Sequence, residues 1–207
     1  MAMTEGSNPW VSRPQTPTEV PSVAQQSVGV APPRGPVAPQ RGVPAPDHVD
    51  QLPAYDRPPA TLWWVGVHGG SGESSLSALV PEWRAADHAW PRVQAQAPAK
   101  VVLTARSNVR GLRAAQAAAT QWAAGLVPFV EVVGLVIVAD APGRLPRPLR
   151  DLAQVVAGGF PRTWNVPWIE SWRLGEAIAL PDAPREVRRL VDELSTLLRP
   201  GAAGTTQ

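Results

Sequence analysis

The residues best placed to do chemistry form one run of eight: His68-Gly69-Gly70-Ser71-Gly72-Glu73-Ser74-Ser75. An apolar run precedes it and a helix-compatible stretch follows. A Gly-rich turn between a strand and a helix start offers free backbone N–H groups and the positive end of a helix dipole, which together suit an anion. His68 has two readings: protonated near its ordinary pKa of about 6.5 it would meet a phosphate, and neutral it is a polar turn residue. Glu73 has two readings as well. An acidic side chain in a first helical turn gains about 0.3 to 1 kcal/mol from the dipole, so Glu73 would fill the anion site itself, whereas a ligand-binding turn requires it to point away.

Other candidates are less concentrated. Arg106, Arg110 and Arg113 follow one another at spacings of four and three, which on a helix makes one basic edge able to contact nucleic-acid phosphates, or a solvated face. Trp164, Trp168 and Trp172 recur every four positions, but Pro167 forbids a regular helix through them, so they are expected around a cleft wall or core rather than as a stripe. His48, His68 and His88 lack metal-ligand spacing. With no cysteine in 207 residues, thiolate catalysis, disulfides and sulfur-ligated metal sites are excluded. No Ser/His/Asp arrangement is indicated, and no residue is assigned a catalytic role.

The elements that position these residues follow from the hydrophobic pattern. Residues 61–66 (TLWWVG) read as a strand, the Gly-rich run as a loop, and ESSLSALV as a helix stopped by Pro81. Residues 100–105 (KVVLTA) give a second strand. Asn108 then caps a helix to Gly125 with Leu112, Ala115, Ala119 and Trp122 on one face. Val132 to Ala139 is a continuous apolar run, the pattern of a strand covered on both sides in a parallel sheet. Pro146 opens a helix presenting Leu149, Leu152, Ala153 and Val156, and Gly158 and Gly159 end it. Residues 163–166 (TWNV) form the last strand. After a turn near Ser171, Asp182 is expected to cap a final helix carrying Val187, Leu190, Val191, Leu194, Leu197 and Leu198 before Pro200. Such alternation predicts an α/β domain with a doubly wound, mostly parallel sheet.

Composition divides the chain. Thirteen of its 25 prolines fall in residues 1–60, and few aromatics accompany them. Such a segment cannot bury enough surface to offset chain entropy, so residues 1–59 are predicted to be a disordered Pro-rich tail, a spacer or a polyproline ligand densest at Pro33 to Pro46. Residues 60–200 form the domain and 201–207 a flexible end. The net charge of +2 splits into −1 for residues 1–60 and +3 for the remainder, too mild to demand nucleic acid. No secretory signal or membrane span is apparent, and the longest apolar stretch, 123–139, contains Pro128 and Glu131. A cytoplasmic location fits.

The run from His68 to Ser75 resembles the deviant phosphate loop of the MinD and ParA family of ATPases. Gly69, Gly70, Gly72, Ser74 and Ser75 match; the two lysines of that loop are replaced by His68 and Glu73, and the only lysine of the chain is Lys100. The order of elements after residue 132 is similar too, with Val166-Pro167-Trp168 at the place where the family touches adenine. The resemblance implies a shortened P-loop NTPase-like domain, ATP or ADP with Mg²⁺ as its ligand, Ser74 on the metal, and Pro167 and Trp168 beside the base. It is also similar to an uncharacterised actinobacterial family found among genes of conjugative elements. The family's acidic residues have poor counterparts: Asp87 is the one candidate for the first, and the strand around residues 100–106 ends in Thr104 and Arg106 where a carboxylate is expected. Replacing Lys by Glu turns an attraction worth about 4 kcal/mol at ~4 Å into repulsion. The expectation is therefore a degenerate domain that binds nucleotide weakly or not at all and acts through protein partners, in mobile-element transfer or maintenance, with homodimerisation open. The alternatives are an ATPase completed by a partner's Lys or Arg, and an interaction module acting through the tail.

Overall fold

The computed structural model describes residues 31–199. Expectations for residues 1–30 and 200–207 lie outside the described residues. In chain order the elements are β1 (Ala54–Arg57), β2 (Leu62–Gly66), α1 (Glu73–Ser77), β3 (Trp83–Ala85), β4 (Trp90–Val93), β5 (Ala99–Arg106), α2 (Val109–Ala123), β6 (Val130–Val138), α3 (Arg147–Ala157), β7 (Thr163–Val166), α4 (Glu170–Arg173) and α5 (Arg185–Leu198). Five strands form one all-parallel sheet in the order β3-β2-β5-β6-β7; β1 and β4 pair separately, also in parallel. The fold is thus mixed α/β with a parallel sheet, as the alternation predicts.

Side-chain alternation along the strands separates two cores. Trp63, Val65, Val101, Leu103, Leu135 and Ile137 pack with α2 residues Leu112, Ala115 and Trp122 and with Val156 of α3. On the opposite face Leu62, Trp64, Val102, Val136 and Val166 pack with Leu76 of α1 and with Val187, Leu190, Val191 and Leu194 of α5. The sheet is doubly wound. Counted from β2, its order is 2-1-3-4-5, one of the two common doubly wound orders, in which ligands sit outside the carboxyl ends of the strands where the order reverses. In this chain that point is the end of β2 beside the end of β5, where the Gly-rich turn begins.

Most sequence boundaries hold. The Asn108 side chain accepts from Gly111 N at 2.8 Å at the start of α2, and Gly125 follows that helix with φ 75°. Two need correction. The helix after the Gly-rich turn is only five residues long, and Asp182 does not cap the last helix: it sits in a single 3₁₀ turn, Leu180–Asp182, with Pro184 at the true start.

A larger correction concerns the expected tail. Residues 31–59 are a strap laid on the domain. Arg34 N donates to Pro161 O and Gln40 N to Ala123 O, and β1 extends beside β4. The clasp is Gln121, buried on α2, which accepts from Leu52 N at 3.0 Å and Trp90 Nε1 at 2.8 Å and donates to Leu52 O at 3.0 Å. Composition misled because it counts what a segment can bury alone; the strap uses backbone groups and a surface the domain provides. The run Pro33 to Pro46 is anchored at Arg34 and Gln40 by these bonds. No helix among the described residues is long and apolar enough to cross a membrane.

Candidate functional site

β2 is buried over its whole length and delivers the chain to a turn at its carboxyl end. Gly70 and Gly72 have φ of 77° and 99°, values that side-chain-bearing residues rarely adopt, so the turn depends on glycine at both. The end of β5 fixes the turn from the side. Thr104 Oγ1 donates to Ser71 O at 2.8 Å, Arg106 N to His68 Nε2 at 3.0 Å, and Arg106 Nε to Gly70 O at 2.8 Å. Arg106 Nη1 also reaches Ala139 O at 2.8 Å, spanning β5 to β6. Where a carboxylate was expected, this chain has two donors, and both grip the turn's carbonyls.

His68 is part of this frame. Its Nε2 accepts a backbone N–H, so the ring proton is assigned to Nδ1, which donates to Gly69 O at 2.9 Å. Both ring nitrogens are engaged in that tautomer. It rests against Gly111, where a Cβ would stand 2.7 Å from Nε2 and collide with Arg106 O.

Glu73 points inward, with 4 % of its surface exposed. Its Oε1 accepts from Ala86 N at 2.9 Å and His88 N at 3.4 Å, and Oε2 stands 3.2 Å from His88 Nδ1, which also lies 2.9 Å from Gly66 O. Asp87 and His88 adopt φ of 58°, a left-handed pair that turns their neighbouring amides onto one oxygen. The carboxylate has therefore found an anion site, in the segment after β3 and not in the Gly-rich turn. Arg57 of the strap holds that segment from outside by bonds to Ala86 O at 2.8 Å and Asp87 Oδ2 at 2.9 Å.

Gly70 to Ser75, His88, Arg106 and Trp172 line a polar cavity of about 190 Å³ over the turn. Burial pushes the Arg106 guanidinium below its ordinary pKa, Asp140 opposes that, and nearby Arg173 adds to it. Arginine nonetheless remains a cation at neutral pH. Ser71 Oγ is buried with no hydrogen-bond partner among the described residues. A second cavity of about 270 Å³ is mostly apolar and is lined by Ser107, Ile137, Ala139, Leu145, Asn165, Val166, Pro167 and Glu186. Arg106 lines the first cavity and bonds to Ala139 O, and Ala139 with Ser107 lines the second.

The structure brings Gly70, Ser71, Gly72, Glu73, Ser74 and Ser75 together at one cavity, and leaves His68 and Gly69 outside its lining. Pro167 and Trp168 part company: Pro167 lines the apolar cavity, while Trp168 donates Nε1 to Glu170 at 2.7 Å. The basic edge is also broken, because Arg106 ends β5 and only Arg110 and Arg113 lie on α2. Asp87 faces solvent and pairs with Arg57. A Mg²⁺ at Ser74 would draw most ligands from phosphate and water, since Glu73, the one carboxylate lining the cavity among the described residues, has Oε1 bonded to Ala86 N and Oε2 facing His88 Nδ1. Three participants escaped the sequence reading: Arg106 as a cavity residue, His88 and Asp140. Each joins the site through a partner at least 15 positions away, a relation with no local signal.

Residues 60–191 match a protein family described as "Family of unknown function (DUF6668)". The chain belongs to that family. The match covers more than half of the chain and contains both cavities, while the strap up to residue 59 precedes it. Searches of curated proteins and of solved structures returned no match.

Proposed function

We propose that this member of the family is a degenerate, non-hydrolytic P-loop-like domain that takes a phosphorylated ligand weakly across the ends of β2 and β5 and acts through a protein partner. The observation that carries this reading is Arg106: its side chain lies across Gly70 and beside the polar cavity, putting a cation on the neighbouring strand in a loop that lacks both lysines. A nucleotide's phosphate would meet Arg106 and the hydroxyls of Ser74 and Ser75, with its ring in the apolar cavity at Pro167. Arg106 is also why binding is weak, for Nε and Nη1 already bond to carbonyls and must share or release them. Turnover is not expected, because Thr104 and Arg106 replace the strand-end carboxylate and Glu73 is committed to Ala86 and His88. The P-loop identity rests on the turn's chemistry alone, and the setting in mobile-element transfer or maintenance on the sequence resemblance.

Calorimetry with Mg-ATP and Mg-ADP tests the proposal. Dissociation constants well above micromolar are expected, weakened further in Arg106→Gln, with no release of phosphate. Micromolar affinity accompanied by turnover would instead make the protein an ATPase.

A further inference from the structure

A second cationic pocket lies at the opposite end of the sheet from the Gly-rich turn. Its volume is about 160 Å³, and Arg34, Arg162, Arg189, Glu193, Thr163 and Trp164 line it. Thr163 begins β7, so the pocket sits at the amino ends of the parallel strands. Three elements distant in sequence supply the arginines: the strap, the loop before β7, and α5. The strap is pressed onto that loop, with Arg34 N bonded to Pro161 O at 2.8 Å and Gly35 so close to Phe160 O that any Cβ would collide with it. Backbone packing thus delivers Arg34 beside Arg162.

The charge there is not balanced. Among the described residues Glu193 is the single carboxylate of the pocket, and both its oxygens are taken, Oε1 by Arg189 Nε at 3.0 Å and Oε2 by Trp164 Nε1 at 2.7 Å. Arg162 Nε is buried with no hydrogen-bond partner among the described residues. The guanidinium groups that line the pocket repel one another, and one bound oxyanion would offset that repulsion. Guanidinium forks match the oxygen spacing of phosphate and carboxylate groups, which a compact halide does not. A cavity of about 160 Å³ has room for at least one such group.

We infer that the pocket formed by Arg34, Arg162 and Arg189 is a binding site for a single oxyanion, a phosphate or carboxylate group. It is independent of the ligand proposed for the Gly-rich turn, since it uses the other end of the sheet and none of the same residues.

The test is an NMR titration of the ¹⁵N-labelled protein with inorganic phosphate and, separately, acetate, at constant ionic strength against chloride. Saturable shifts are expected at Arg162 Nε–H and Trp164 Nε1–H, and whichever anion binds tighter identifies the group. In the double variant Arg34→Gln/Arg189→Gln, at two exposed positions and with an unchanged circular dichroism spectrum, affinity should fall at least about tenfold. Arg106→Gln should leave the titration unchanged. Linear, non-saturating shifts with both anions, a double variant that titrates like the parent, or loss of the shifts in Arg106→Gln would each overturn the assignment.

Discussion

Replacing Glu73 separates the two ways in which an acidic residue can sit in this turn. In the structure its carboxylate accepts from the buried Ala86 N at 2.9 Å and faces His88 Nδ1 at 3.2 Å. Hydrogen bonds to charged groups contribute about 1.5–3 kcal/mol each, and an unpaired charge placed in a buried position costs about 3–5 kcal/mol. Glu73→Gln keeps the shape and an acceptor for Ala86 N but loses the charge, so about 1–2 kcal/mol is expected. Glu73→Lys, which restores the residue of the resembled loop, places an ammonium against an N–H group and an imidazole and should cost about 3–5 kcal/mol. At roughly 2–4 °C per kcal/mol for a domain of this size, the thermal midpoint falls by about 2–8 °C for Gln and about 6–20 °C for Lys. Thermal unfolding followed by circular dichroism, with Mg-ATP calorimetry on the same samples, reads both consequences. A Lys variant as stable as the parent that also binds Mg-ATP more tightly would refute the reasoning, because the side chain would then project into the polar cavity and not toward Ala86.

Three further outcomes follow from the same geometry. Gly111→Ala gains helix propensity of up to about 1 kcal/mol but drives its Cβ into Arg106 O and His68 Nε2, so a net loss of about 1–2 kcal/mol is expected in urea unfolding. Gln121→Ala strands the fully buried Trp90 Nε1 and releases Leu52, with an expected loss of about 2–3 kcal/mol and faster amide exchange at Leu52. Deleting residues 1–58 uncovers Trp90 and removes Arg57 from Ala86 O; a lowered midpoint and red-shifted tryptophan emission are expected, and an unchanged midpoint would show that the strap is not bound in solution.

Much of the architecture was legible because periodicity is local. The run 132–139 reads as a strand covered on both faces, and all but its last residue lies in one, β6 (Val130–Val138), between β5 and β7. The faces predicted for α2 and α5 are the faces that pack, since an amphipathic helix has one way to bury its apolar side. Short elements were not legible. β1, β3 and β4 are three or four residues long, too short for a period to show, and they exist because a neighbouring backbone supplies their hydrogen bonds.

The sequence by itself determined that a Gly-rich turn follows the first strand of the large sheet, that this turn lacks lysine, and that the 207 residues contain no cysteine, because each depends on residue identity. Only the tertiary structure decided what replaces the missing charge and where the acidic residue goes. Arg106 reaches Gly70 from 36 residues away, Glu73 meets Ala86 across 13, and Gln121 clasps Leu52 across 69. Those contacts form when the ends of β2 and β5 become neighbours in the sheet and the strap closes over α2, and chain closure over such distances leaves no mark in a local pattern.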